Sequence, residues 1–372
     1  MTQNTRLLIF SCFCFVVFTA FNTLYVPSDS LRDLYAGPPN SWPKPHLDEG
    51  VTHHELGKLP EVSHPESNPY SKAAEDLGEK LFFDPRLSVS RQIACATCHD
   101  PELGWADGRQ FAFGHNRRQG ARNAMSILNT AHFDELFWDG RAESLEDQSL
   151  FPLQDHIEMN MDLQTALTRL NGIPAYLRLF KEAYQTDTIE LDHLQKALAT
   201  FERSVVSRPS RFDRFVEGNK DALDEEELLG LHLFRTKARC MNCHNGPLFS
   251  DNQYHNIGQS MFGRPGEDLG RFMVTGDTSD VGKFRTPSLR DVVYTGPWLH
   301  NGNVFELTEI IDMYDRGMPQ IIPKKMEGHP LYPEKSPHLR PLNLSKEEKS
   351  ALLAFLHAIS TRPHRIPVPD LP

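Results

Sequence analysis

The pattern Cys-x-x-Cys-His occurs twice in this chain, as Cys95-Ala96-Thr97-Cys98-His99 and as Cys240-Met241-Asn242-Cys243-His244. It is the attachment signature of a c-type haem. Each thiol can form a thioether with one vinyl group, and the histidine that follows can ligate the iron from the same side. Peptide and macrocycle are then locked in one geometry, and the fold around each motif must wrap a large apolar plate. Two other chemistries use closely spaced cysteines. A structural zinc site needs further ligands in tight support, and a redox dithiol has no need of the trailing histidine. The two complete motifs use every cysteine outside the N-terminal segment. They indicate two covalently bound haem c groups.

The other two cysteines, Cys12 and Cys14, lie in an almost uncharged run from Leu7 to Val26 that follows Arg6. Residues 1–28 read as a signal peptide or an N-terminal membrane anchor. The run is close to the ~20 residues that span a bilayer, and no small-x-small cleavage site follows it. The expected location is periplasmic, either soluble or tethered to the inner membrane. Export agrees with the haem motifs, because thioether attachment takes place outside the bacterial cytoplasm. A net charge of −11 speaks against a nucleic-acid partner.

Residues 29–69 are proline-rich and lack apolar periodicity, so they read as an extended linker or wrapping arm. His46, His53, His54 and His64 fall there and read as solvent-exposed linker histidines. The remainder carries a faint internal repeat. Leu77-Gly78-x-x-Leu81-Phe82 precedes the first haem motif, and Leu229-Gly230-x-x-Leu233-Phe234 precedes the second. After the motifs come Gly104-Trp105-Ala106-Asp107 and Leu248-Phe249-Ser250-Asp251. Helix signals dominate. Asp224 with Glu227, and Ser345 with Glu348, form capping boxes, and Leu191–Val205 has helical periodicity. The expected fold is mainly α with long loops: two c-type cytochrome-like haem domains related by duplication, residues 70–208 and 209–372.

The motifs LGEKLFFDPRLS, CATCH, FWDGRAESLEDQ, CMNCH, GKFRTPSLRDV and the segment Pro297–Gly317 together resemble the bacterial di-haem cytochrome c peroxidase and MauG family, over about Asn68 to Ser360. The resemblance implies the following roles. The haem on His99 is the peroxide-reacting centre. Glu158 matches the family's distal glutamate, Gln148 the glutamine beside it, and Trp138 the tryptophan between the haems. A distal carboxylate suits the task of moving a proton between the two peroxide oxygens. His115, sixteen residues after His99, matches the histidine that caps the first haem in peroxidases of the family and leaves when the second haem is reduced. An exposed loop histidine is the competing reading.

The haem on His244 resembles the electron-accepting centre. Its second axial ligand falls on Tyr314, as in MauG-like members. Peroxidases have methionine there, and Met313 and Met318 are the alternatives. Asn123, Thr295 and Pro297 match an inter-haem Ca²⁺ site, where an amide oxygen and two backbone carbonyls suit a hard cation. Arg290 and His300 lie in matched loops and read as structural.

The implied function is reduction of hydrogen peroxide to water with electrons from a small cytochrome c or a cupredoxin. A MauG-like enzyme that uses peroxide to oxidise residues of a partner protein is the alternative, favoured by Tyr314, whereas His115 favours the peroxidase. A non-enzymatic di-haem electron carrier is a third reading. It has no need of Glu158 and Gln148. Homodimers are common in this family.

Overall fold

The computed structural model describes residues 28–363 and 366–372; the leader expected over residues 1–28 lies almost wholly outside them. Helices joined by long loops make up the chain. Among the described residues there is one two-stranded antiparallel sheet, β1 (Tyr254–His255) on β2 (Phe284–Arg285). No helix among them is long and apolar enough to cross a membrane.

Five helices organise the two haem motifs: α1 (Lys72–Phe82), α2 (Leu191–Ser204), α3 (Glu225–Arg235), α4 (Leu307–Asp315) and α5 (Lys346–Ala358). Their starts follow from local chemistry. The Ser71 hydroxyl accepts from the Ala74 N–H and caps α1. The expected capping boxes open α3 at Asp224 and α5 at Ser345, satisfying backbone donors that a helix N-terminus leaves free.

The helices cross in pairs at a glycine. A Cβ on Gly78 of α1 would stand 2.7 Å from Phe201 Cβ of α2 and closer still to the Ala197 carbonyl oxygen. On Gly230 of α3 it would stand 2.7 Å from Phe355 Cβ of α5, and closer still to the Ala351 oxygen. The same aromatic triad packs beside each crossing. Phe82, Trp105 and Phe201 have ring centroids 5.2–6.0 Å apart; Phe234, Phe249 and Phe355 lie 5.3–6.2 Å apart. Such offset or edge-on contacts are worth more than their buried area alone. Each triad sits in its own apolar cluster, with Cys95 against one and Cys240 against the other.

The chain ends exchange partners. The N-terminal segment is an arm, but not wholly extended: it opens with a helix, Ser28–Leu34. Leu31, Tyr35, Trp42 and Leu56 are buried in the cluster of the second haem motif. Arg235 is fully buried, pairs with Glu55 and donates to the Pro43 carbonyl at 2.7 Å. Because the arm lies on the protein, only His46 and His54 of its four histidines are exposed; His53 and His64 are half-buried. At the other end, Arg86 donates to the Pro372 carbonyl at 2.7 Å, and Ile366 packs on the first cluster.

The crossings predict that Gly78→Ala and Gly230→Ala each destabilise the protein by about 1–3 kcal/mol, the usual cost of overpacking. Denaturant titration followed by circular dichroism would measure it. A control Gly→Ala at Gly57, where the nearest atom to a new Cβ is 4.0 Å away, should cost much less.

Candidate haem sites

Both motif histidines are held by a backbone carbonyl. His99 Nδ1 lies 3.2 Å from the Trp105 oxygen, and His244 Nδ1 lies 3.0 Å from the Phe249 oxygen. An imidazole that donates from Nδ1 leaves Nε2 as the lone pair for a metal. Trp105 and Phe249 both adopt left-handed backbone conformations, φ 60° and 53°, which turn the chain back so that the carbonyl reaches the ring. Burial lowers the pKa of both histidines. The repeat of short turns after each motif was readable in the sequence, but not what the turns do.

The four motif cysteines are free, and none is cross-linked to another. Burial pushes the Cys98 and Cys240 thiols up to about 12, and Cys95 and Cys243 higher still. That is the opposite of a redox dithiol, which depends on a stabilised thiolate.

A cavity in the second half meets the requirements of a macrocycle. Cys240, Cys243 and His244 line it, and so does Tyr314 of α4. Met313 and Met318 are not part of that lining. Burial raises the Tyr314 phenol above its usual range, and among the described residues its hydroxyl has no hydrogen-bond partner. Arg285 also lines the cavity. It is 3% exposed, donates from Nε to the Phe137 carbonyl at 3.2 Å, and leaves Nη1 buried without a partner. Burial lowers its pKa to about 10. Among the described residues no carboxylate pairs with it, so the guanidinium is suited to an anionic edge such as a haem propionate. Arg285 escaped sequence reasoning because only the fold removes its counter-ion.

Around His99, Glu158 follows the turn after the helix Leu150–Gln154, and Gln148 ends the helix before it, Leu145–Gln148. Glu158 presents exposed surface although protein crowds it. Burial, then the charge of Asp155, push its carboxyl up, while Arg141 acts against them. Its charge reaches both Cys95 and Cys98. His115 is tied to it through the backbone: the His115 N–H donates to the Glu158 carbonyl at 2.8 Å. The imidazole Nδ1 of His115 is buried without a partner. The next two residues, Asn116 and Arg117, both have left-handed φ, 54° and 57°, a conformation that costs a non-glycine residue energy.

Trp138 joins the halves. Its Nε1 donates to the Asn123 carbonyl at 3.0 Å, and its own carbonyl accepts from the Arg285 N–H of β2 at 2.8 Å. Asn123, Thr295, Pro297 and Trp138 all line the second cavity. The Asn123 amide N–H₂ donates to the Arg109 carbonyl at 2.9 Å, which leaves Oδ1 free of protein donors. His300 stacks on Phe284 at 3.6 Å, and burial lowers its pKa to about 4. Arg290 clamps Asp213 with two 3.0 Å bonds and reaches the Pro247 and Gly57 carbonyls. Both also line the second cavity.

Comparison with known proteins gives the relatives of the chain. Residues 72–221 match the family model for di-haem cytochrome c peroxidase. The chain is 38% identical to the methylamine utilization protein MauG of Methylorubrum extorquens, over 84% of this chain and 85% of that protein. It is 36% identical to the cytochrome-c peroxidase IdrP1 of a Pseudomonas species, over 83% and 86%. Among solved structures it resembles a MauG-like protein associated with microbial copper homeostasis, with a TM-score of 0.74, 30% identity, and coverage of 85% of this chain and 96% of that one. The chain belongs to the di-haem cytochrome c peroxidase and MauG family.

Proposed function

We propose that the protein is a periplasmic di-haem c-type peroxidase that reduces hydrogen peroxide to water with electrons from a small cytochrome c or a cupredoxin. The observation that carries this reading is Glu158: an exposed carboxyl crowded by protein, with a raised pKa and a charge that reaches Cys95 and Cys98. When bound, haem iron supplies the electron chemistry that breaks the O–O bond. Glu158 moves a proton from the inner to the outer peroxide oxygen, so that the outer oxygen leaves as water; two further protons from solvent complete two waters. Gln148 orients the peroxide. Trp138 offers an aromatic path between the halves. Residues 70–208 form the peroxidatic domain and 209–372 the electron-transfer domain, products of duplication as the repeated glycine crossings suggest. Asn123 Oδ1 and the carbonyls of Thr295 and Pro297 offer hard oxygens to Ca²⁺.

The position of Tyr314 favours a second reading, in which the enzyme uses peroxide to oxidise residues of a partner protein. Tyr314, not Met313 or Met318, shares a cavity with His244, and a phenolate ligand favours ferric and higher iron states. His115 favours the first reading. Its orphaned Nδ1 and strained loop suit a removable cap on the first iron, and its backbone tie to Glu158 would move acid–base group and cap together.

Glu158→Gln should lower peroxide turnover by about 10²–10⁴-fold, the usual contribution of a general acid–base group, with covalent haem content unchanged. Unchanged turnover would remove Glu158 from the mechanism. A peroxide titration of fully ferric and of half-reduced protein, followed by absorption spectroscopy, separates the two readings. Reaction of only the half-reduced form, with His115→Gly making the ferric form reactive, is the peroxidase outcome. Immediate reaction of the ferric form at both haems is the MauG-like outcome.

A further inference from the structure

Because the two helix pairs match in register, their differences are informative. The glycine crossings set Ala197 and Phe201 of α2 against Ala351 and Phe355 of α5 as equivalents. The residue after the phenylalanine in α5 is Leu356, which lines the cavity of His244. In α2 it is Glu202.

Glu202 is 6% exposed. Its carboxylate forms no hydrogen bond or ion pair with a described residue, and its oxygens are not among the unpartnered atoms sealed off by packing. It holds in the first half the position that Leu356, at the cavity of His244, holds in the second. Its charge acts on the Cys95 thiol more strongly than any other charge does. Three elements face it. Its own helix supplies Arg203, and the helix Leu145–Gln148 supplies Glu146. These two hold each other at 2.7 and 2.8 Å, so Arg203 is already engaged. The haem motif supplies Cys95, which loses its ionisable proton in a thioether. The face of α1 turned to α2 is apolar: Ala74, Leu77, Gly78 and Leu81. Burial pushes Glu202 up to about 8, with Arg203 opposing and Glu146 adding to the rise. An unpaired carboxylate in such a place is costly, whereas the second half fills the equivalent place with leucine.

We propose that Glu202 is a proton-binding site linked to the redox state of the first haem. One proton from solvent joins the carboxylate when the iron held by His99 gains one electron, and leaves when that electron leaves. No bond to iron forms or breaks. The electron comes from the redox partner or, in the test, from an added reductant. The cause is electrostatic: reduction removes a positive charge near the carboxylate, so the anion becomes harder to keep in place. Within the pH range where Glu202 is ionised in the oxidised protein and protonated in the reduced one, the ferric-to-ferrous ratio at fixed applied potential changes tenfold per pH unit. That equals ~59 mV for a one-electron couple.

The inference rests on Cys95, Cys98 and His99 carrying a haem, so covalent haem content is measured first on the purified full-length holo-protein. Optical redox titrations between pH 6 and 9 then follow each haem in the native protein, Glu202→Gln and Glu202→Leu. The leucine variant copies the packing of Leu356 should glutamine disturb the fold. The expected result is a first-haem midpoint that falls with pH in the native protein. In both variants that slope is lost and the midpoint at pH 9 lies above the native one, while Glu158→Gln keeps the slope. A native midpoint without pH dependence, or a slope that survives in the Glu202 variants, would overturn the proposal. Absence of covalent haem in the native protein would overturn the haem reading itself, and this proposal with it.

Discussion

Two helices meeting at a glycine set the frame on which everything else rests. At Gly78 and again at Gly230 the backbones approach so closely that a methyl group would strike a carbonyl oxygen of the facing helix. That approach places one phenylalanine of each helix against a third aromatic ring, Trp105 in one half and Phe249 in the other. The same third residue then turns its carbonyl onto the motif histidine. Helix crossing, aromatic packing and imidazole orientation thus form one chain of cause. A small error at the glycine would be felt at the motif histidine, because packed interiors transmit displacement rather than absorb it.

A common frame makes the two sites differ only where single side chains differ. The first half offers Glu158, His115 and Glu202, all polar groups without a full set of partners. The second offers a tyrosine with an unengaged hydroxyl and an arginine without a counter-ion. The first half thus presents carboxyls and an imidazole, the second a phenol, a guanidinium and the Asp251 carboxylate. Such differences in surroundings are a direct way for a protein to hold two like cofactors at different potentials.

Much of this was legible in the sequence. The haem motifs, the capping boxes at Asp224 and Ser345 and the helix from Leu191 all rest on local rules, and local rules hold whatever the rest of the chain does. The repeat around Gly78 and Gly230 could be seen, but its meaning could not, since a close approach between positions 119 residues apart at Gly78 and 121 at Gly230 leaves no local trace. Arg285 and Glu202 were invisible for a related reason. A charged residue becomes exceptional only when folding denies it a partner, and no window of sequence records that denial. The arm was half legible: its proline content marked it as irregular, while the four hydrophobic residues that anchor it, Leu31, Tyr35, Trp42 and Leu56, are too widely spaced to show a period.

The arm also bears on the order in which the protein assembles. Arg32 finds its partner Glu225 at a separation of 193 residues, and Arg340 reaches Asp48 at 292. Asp48 and His46 bind the side chain of Asn242, inside the second haem motif. The segment made first therefore meets these partners only once most of the chain exists. Loop-closure entropy makes such distant contacts late in any case. Here they act as a fastening drawn across a structure that must already be in place.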